Sequence, residues 1–153
     1  MFEIRKATTS DVFAIRRLIW EVGINPLGLD WRRFLLAVDQ HGKMVGCAQI
    51  KPHRDGSLEL ASVAVVSDYR HQGVAGALIH HLLHGQPGPV YLTCRAELSA
   101  FYNRFGFEEV QDTPDMPAYF RRLQRIFQFL VKIGLRGSRL AVMKCERCAI
   151  LQK

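Results

Sequence analysis

Apolar and polar positions alternate along this chain in two rhythms, and the switches between them lay out its elements. Phe2 to Ala7 has the period of a strand. Thr9 or Ser10 with Asp11 then caps a helix from Asp11 to Val22, whose Val12, Ile15, Leu18, Ile19 and Val22 form one stripe. Residues 23–30 read as a loop by their Gly, Asn and Pro content, and Trp31-Arg32-Arg33 leads into a buried strand, Phe34 to Val38. His41-Gly42-Lys43 is a hairpin turn to a partner strand, Met44 to Lys51. A second turn, His53-Arg54-Asp55-Gly56, hands over to a strand that opens at Leu58. Three strands joined in succession by tight turns predict an antiparallel N-terminal meander.

From Leu58 the rhythm changes within one stretch. Val63 and Val65 keep the strand period, Ser67-Asp68-Tyr69 breaks it, and Ala77, Leu78, Leu82 and Leu83 return at helical spacing. Residues 85–89, with two prolines, end that helix. Val90 to Cys94 is the next strand; the helix before it lets it lie parallel to the Leu58 strand. A short helix follows from Glu97, stopped at Gly106, with a strand from Phe107 to Val110 after it. Ala118 to Ile133 is amphipathic, with Tyr119, Leu123, Ile126, Phe127, Leu130 and Val131 on one face and Arg121, Arg122 and Arg125 outside it. That face is expected to pack on the sheet; its aromatic content also suits a substrate pocket or a homodimer contact. Arg139 to Lys144 supplies the last strand. The prediction is a mixed α/β (α+β) fold of one domain over residues 1–153, without repeats.

Composition narrows the classes. At 153 residues, 48% hydrophobic and 23% charged, the chain is an ordinary globular size. It has no run of eighteen apolar residues, and Met1 to Arg5 lacks a signal-peptide core, so a cytoplasmic protein is expected. Cys47 and Cys94 sit in strand-like runs, and Cys145 and Cys148 form a single Cys-x-x-Cys pair that lacks half the ligands of a zinc site; no metal is expected. A net charge of +7 invites nucleic acid, yet the basic residues are scattered and carry no nucleic-acid-binding pattern. The same charge suits a polyanionic cofactor.

The strand, turn and helix of residues 58–83 form a natural phosphate site, because the unpaired N–H groups of a first helical turn point at an anion. A P-loop would end in Gly-Lys-Ser/Thr where this chain has Gly76-Ala77-Leu78, and a dinucleotide fingerprint would need a glycine where His71 stands. The Arg70-x-x-Gly73-x-Ala75 order, with the Phe101-Tyr102-x-x-Phe105-Gly106-Phe107 segment after the fifth strand, resembles the GCN5-related N-acetyltransferases. The resemblance covers nearly the whole chain in element order.

It implies parallel strands that splay at a cleft for acetyl-CoA, and direct transfer of its acetyl group to a primary amine of a small molecule or peptide. Arg70, His71, Gln72, Gly73, Val74, Ala75 and Gly76 would take the pyrophosphate, and the backbone of Val63, Ala64 and Val65 the thioester and pantetheine arm. Glu59 matches the family's proton acceptor and Tyr102 its donor to the leaving thiolate. Two departures stand out: His71 and Gln72 replace the usual glycine and basic residue, and Arg95 or Ala96 stands where an asparagine is frequent. The acceptor lining expected from sequence includes Trp20, Asn25, Trp31, Tyr119 and Phe120 with Arg32 and Arg33. The competing classes are a non-catalytic acyl-CoA sensor and a basic nucleic-acid-binding module.

Overall fold

A computed structural model of the chain describes residues 1–111, 114–135 and 137–146. Cys148 lies outside the described residues. The elements follow the predicted order: β1 (Phe2–Lys6), α1 (Val12–Val22), β2 (Phe34–Asp39), β3 (Met44–Pro52), β4 (Leu58–Val65), α2 (Val74–Leu83), β5 (Val90–Arg95), α3 (Ser99–Asn103), β6 (Glu108–Glu109), α4 (Ala118–Lys132) and β7 (Leu140–Cys145). The strands make one mixed seven-stranded sheet in the order β1-β2-β3-β4-β5-β7-β6. β1 pairs antiparallel with β2; β2 pairs antiparallel with β3 as the first hairpin of the predicted meander, and β4 lies next to β3 in the sheet. β4 and β5 run parallel, with two pairs in register, Leu58 with Val90 and Glu59 with Tyr91. By contact density the chain divides into two compact units, Met1–Lys51 with Leu60–His84, and Pro52–Glu59 with the residues from Gly85 onward.

The first unit is built on the α1 stripe. Ile15, Leu18 and Ile19 are buried against Phe34, Leu36 and Val38 of β2, Cys47 of β3 and Ala64 of β4, with Val22 and Trp31 packed at the margin. Trp20, read from sequence as a lining residue, instead faces solvent. The helix entry is pinned by Asp11, whose carboxylate accepts from the Thr8 N–H and hydroxyl and from both terminal nitrogens of Arg5, all at 2.8 Å. The Arg5 guanidinium is the main cause that holds the Asp11 carboxyl far below the usual carboxylate range. A depressed folded value stabilises fully above the unfolded range near pH 4 and is lost as pH falls toward the folded value. Asp11→Asn should therefore cost about 1 kcal/mol at pH 7, discounted for the exposed Arg5. Denaturant melts should show the gap from the parent narrowing below about pH 4.

In the second unit β5 is the central strand, paired along six residues with β7, which in turn carries β6. Tyr91, Met116, Phe120 and Val142 form a buried cluster under α4. The phase of α4 differs from the expected one. Its buried residues are Phe120 and Gln124, one turn apart, while Ile126, Phe129 and Val131 are exposed. A polar residue occupies the core face, so apolar periodicity alone set the stripe about one position off. Phe120 is accordingly a core residue stacked on Tyr91 at 5.0 Å between ring centroids. β6 is two residues long where four were expected.

Burial pushes the Cys47 thiol up to about 12 and the Cys94 thiol up to about 11. A thiol-directed disulfide reagent at pH 8 should label neither in the native protein, since the thiolate is the nucleophile. Mass spectrometry before and after denaturation reads this directly.

Candidate functional site

The first unit carries the strand, turn and helix of residues 58–83 from Leu60 onward. Ser62 interrupts β4 with a left-handed backbone, φ 57°, and its hydroxyl accepts from Gln49 Nε2 at 3.0 Å. A non-glycine residue in that region is a local irregularity of the strand, directly before Val63, Ala64 and Val65. A short 3₁₀ turn, Ser67–Tyr69, leads to the loop. The Tyr69 hydroxyl donates to Asp39 Oδ2 at 3.1 Å and ties the turn to the end of β2. Arg70 Nε donates to the Val65 carbonyl at 3.2 Å, which holds the side chain's root and leaves its terminal nitrogens available.

His71 and Gly73 both take left-handed backbone, φ 61° and 83°. Gly73 is the N-cap of α2, with no side chain bonded to the first turn. A Cβ built there would meet no protein atom within 4 Å. The N–H groups of Val74, Ala75 and Gly76 thus start a helix in front of open space. Gln72 is otherwise engaged: its amide donates to the Asp68 carbonyl at 2.7 Å, stiffening the turn.

The second unit holds both expected catalytic side chains, Glu59 on β4 and Tyr102 on α3. Glu59 is 6% exposed. Sequence alternation permits a surface carboxylate at this strand position; the structure buries it, with Oε2 at 2.7 Å from His53 Nε2. The His53 ring stacks on Tyr119 with centroids 3.7 Å apart and meets Phe120 edge-on at 5.5 Å. Tyr102, on α3, meets Phe101 and Phe107 edge-on. Burial pushes its phenol up to about 12. Among the described residues its hydroxyl has no hydrogen-bond partner.

His53 also belongs to the wall of an open pocket of about 450 Å³, with Arg54, Asp55, Tyr119, Arg122, Leu123 and Ile126. Asp55 is committed within the turn, accepting from the Ser57 hydroxyl at 2.6 Å and the Ser57 N–H at 3.1 Å. The hydroxyl bond is the main cause that holds its carboxyl below the usual range. Arg54 and Arg122 are exposed and make no hydrogen bond or ion pair among the described residues. Of the acceptor lining expected from sequence, Tyr119 is here; Phe120 and Trp31 serve the cores of their units. His53 was not legible as a site residue, because it reads as part of a turn. The hint available was the hairpin, in which His53 N–H donates to Ser57 O two residues before Glu59.

Among the described residues no helix is long and apolar enough to cross a membrane. Among solved structures, the chain is similar to Rv2747 from Mycobacterium tuberculosis, determined in complex with CoA and NLQ. The identity is 27% and the TM-score 0.71, over 94% of this chain and 98% of that one. It is similar also to N-acetylglutamate synthase from Neisseria gonorrhoeae complexed with coenzyme A and N-acetyl-glutamate, at 20% identity and TM-score 0.71, over 96% of this chain and 35% of that one. A third is the ribosomal-protein-S18-alanine N-acetyltransferase from Escherichia coli, at 19% identity and TM-score 0.63, over 96% and 94%. The last two likenesses concern the fold alone. No curated protein matches by sequence. A profile of the acetyltransferase (GNAT) domain matches residues 30–109, more than half of the chain and including the whole glycine turn, so the chain belongs to the GNAT acetyltransferase family.

Proposed function

We propose that the protein transfers the acetyl group of acetyl-CoA directly to a primary amine of a small molecule or peptide. The observation that carries this reading is the uncapped start of α2 behind left-handed Gly73, a helix N-terminus open to an anion. Arg70 to Gly76 take the pyrophosphate. The backbone of Val63, Ala64 and Val65 holds the pantetheine arm as an added strand would. The amine nitrogen attacks the thioester carbonyl carbon; the C–N bond forms, the C–S bond breaks, and the electron pair leaves on sulfur. The buried Glu59 with its His53 partner serves the proton lost by the amine, and the Tyr102 hydroxyl donates to the sulfur.

The acceptor class follows from the pocket at His53. Among the described residues two unpaired guanidinium groups, Arg54 and Arg122, stand beside apolar Leu123 and Ile126 and a stacked Tyr119, while the carboxylate in the lining, Asp55, is already bonded. That lining favours an amine that also bears a carboxylate over a polycation such as spermine. The related M. tuberculosis protein, which binds CoA, supports the cofactor half of the reading.

Calorimetry with CoA, followed by a thiol-release screen of amino acids, arylalkylamines, polyamines and peptides, tests both halves. Micromolar CoA binding and release with a carboxylate-bearing amine are expected. Binding without release across the panel would make the chain a sensor. Salt-steep DNA or RNA binding without CoA affinity would make it a nucleic-acid module.

A further inference from the structure

We infer that His53, rather than Glu59, is the group that takes the proton from the acceptor amine, with Glu59 behind it as a positioning residue. The inference rests on the transferase reading above. His53 forms part of the pocket wall and Glu59 does not. Both side chains are more than nine-tenths buried, and the pair is joined at 2.7 Å through His53 Nε2 and Glu59 Oε2. An ionised carboxylate can only accept. The hydrogen of neutral His53 therefore sits on Nε2, and Nδ1 carries the lone pair. Among the described residues no hydrogen bond engages Nδ1, so that lone pair is not spent within the protein.

Packing fixes the ring as a base needs. Tyr119 lies flat against one face at 3.7 Å and Phe120 meets it edge-on, so rotation about the ring's own bond is blocked from α4. Among the described residues, the charged and titratable groups around it are Glu59 from β4, Arg54 and Asp55 from the turn, and Tyr119 and Arg122 from α4. The two carboxylates favour the imidazolium once it forms, and the two guanidinium groups oppose it. Glu59, in direct contact, is the strongest of the four.

In the step itself, Nδ1 accepts one proton from the amine nitrogen as its lone pair forms the C–N bond. His53 becomes an imidazolium bonded to Glu59 through Nε2–H, while the C–S electron pair leaves on sulfur. Imidazolium then returns its proton to water through the open pocket. The same arrangement of a carboxylate behind an imidazole selects the tautomer in other proton-transfer sites.

The test has an arm that needs no acceptor. Long-range proton–nitrogen NMR of the nitrogen-15-labelled protein, with His53 assigned by its loss in His53→Gln, reads the tautomer. The Nε2–H form is expected for the neutral ring, with a shift toward the Nδ1–H form in Glu59→Gln. A resting Nδ1–H tautomer, or one indifferent to Glu59→Gln, overturns the inference. In the kinetic arm, thiol release with L-glutamine, L-glutamate and phenylethylamine should fall at least ~100-fold in His53→Gln. CoA affinity by calorimetry should stay within threefold, which also certifies the fold. Added imidazole should restore part of the rate in His53→Ala and none in the parent. Parental turnover in His53→Gln would also overturn it. Loss of CoA binding in the parent chain would instead strike the transferase reading.

Discussion

A Gly73→Val variant will stay folded and lose most of its affinity for CoA. The residue stands at φ 83° at the start of α2, and a Cβ there touches nothing in the protein. The cost to folding is then conformational, about 1–2 kcal/mol for a side chain forced into left-handed backbone. The cost to binding is larger, because the branched side chain projects into the space from which an anion would meet the first-turn N–H groups. Hydrogen bonds to a charged group are worth about 1.5–3 kcal/mol each, so losing two lowers affinity by roughly 10²–10⁴-fold. Gly73→Ala should fall between, carrying the strain with less bulk. His71→Gly, which relieves φ 61° at the neighbouring left-handed residue and adds no bulk, should lose far less affinity than Gly73→Val. Calorimetry with CoA and a thermal melt separate the two costs. An affinity unchanged in a folded Gly73→Val protein would remove the loop from the site.

The same comparison of local with distant causes separates what was legible in the sequence from what was not. The meander, the glycine turn and the parallel β5 could be read because each rests on residues adjacent in the chain. Alternation marks a strand, a Gly-bearing turn marks its end, and an intervening helix permits a parallel neighbour. The Arg5–Asp11 pair shows the limit of that reading: Asp11 is legible as a cap, but the guanidinium that makes it a strong one comes from the preceding strand. In α4, Gln124 on the buried face displaced the expected stripe; Leu123 and Ile126 line the pocket, and Tyr119 both lines it and packs on the core cluster. His53 was hidden for a related reason. Its meaning depends on Glu59 across a hairpin and on Tyr119 sixty-six positions away in sequence, and no local pattern carries that conjunction.

Tyr102→Phe will lower kcat about 10–100-fold at unchanged CoA affinity, and by the same factor from pH 6 to pH 9. What the hydroxyl can give depends on how acidic the phenol is. Burial raises it to about 12. An ordinary thiol titrates near ~8.5, so full proton transfer from Tyr102 to the departing thiolate runs uphill by roughly 4–5 kcal/mol. In the proposed role Tyr102 would stabilise the thiolate as a hydrogen-bond donor, while the proton that finally rests on sulfur would come from solvent. Deleting a donor to a forming charge costs about 1.5–3 kcal/mol in the transition state, which sets the size of the loss. The phenol stays protonated throughout that pH range, so the ratio of parent to variant should be flat. Its ring contacts with Phe101 at 5.0 Å and Phe107 at 6.2 Å are kept by phenylalanine, and the fold should be too. Single-turnover thiol release against pH, with CoA calorimetry alongside, makes the measurement. A variant as fast as the parent would leave Tyr102 a packing residue of α3. A deficit that grows steeply toward high pH would mean that it gives up its proton outright.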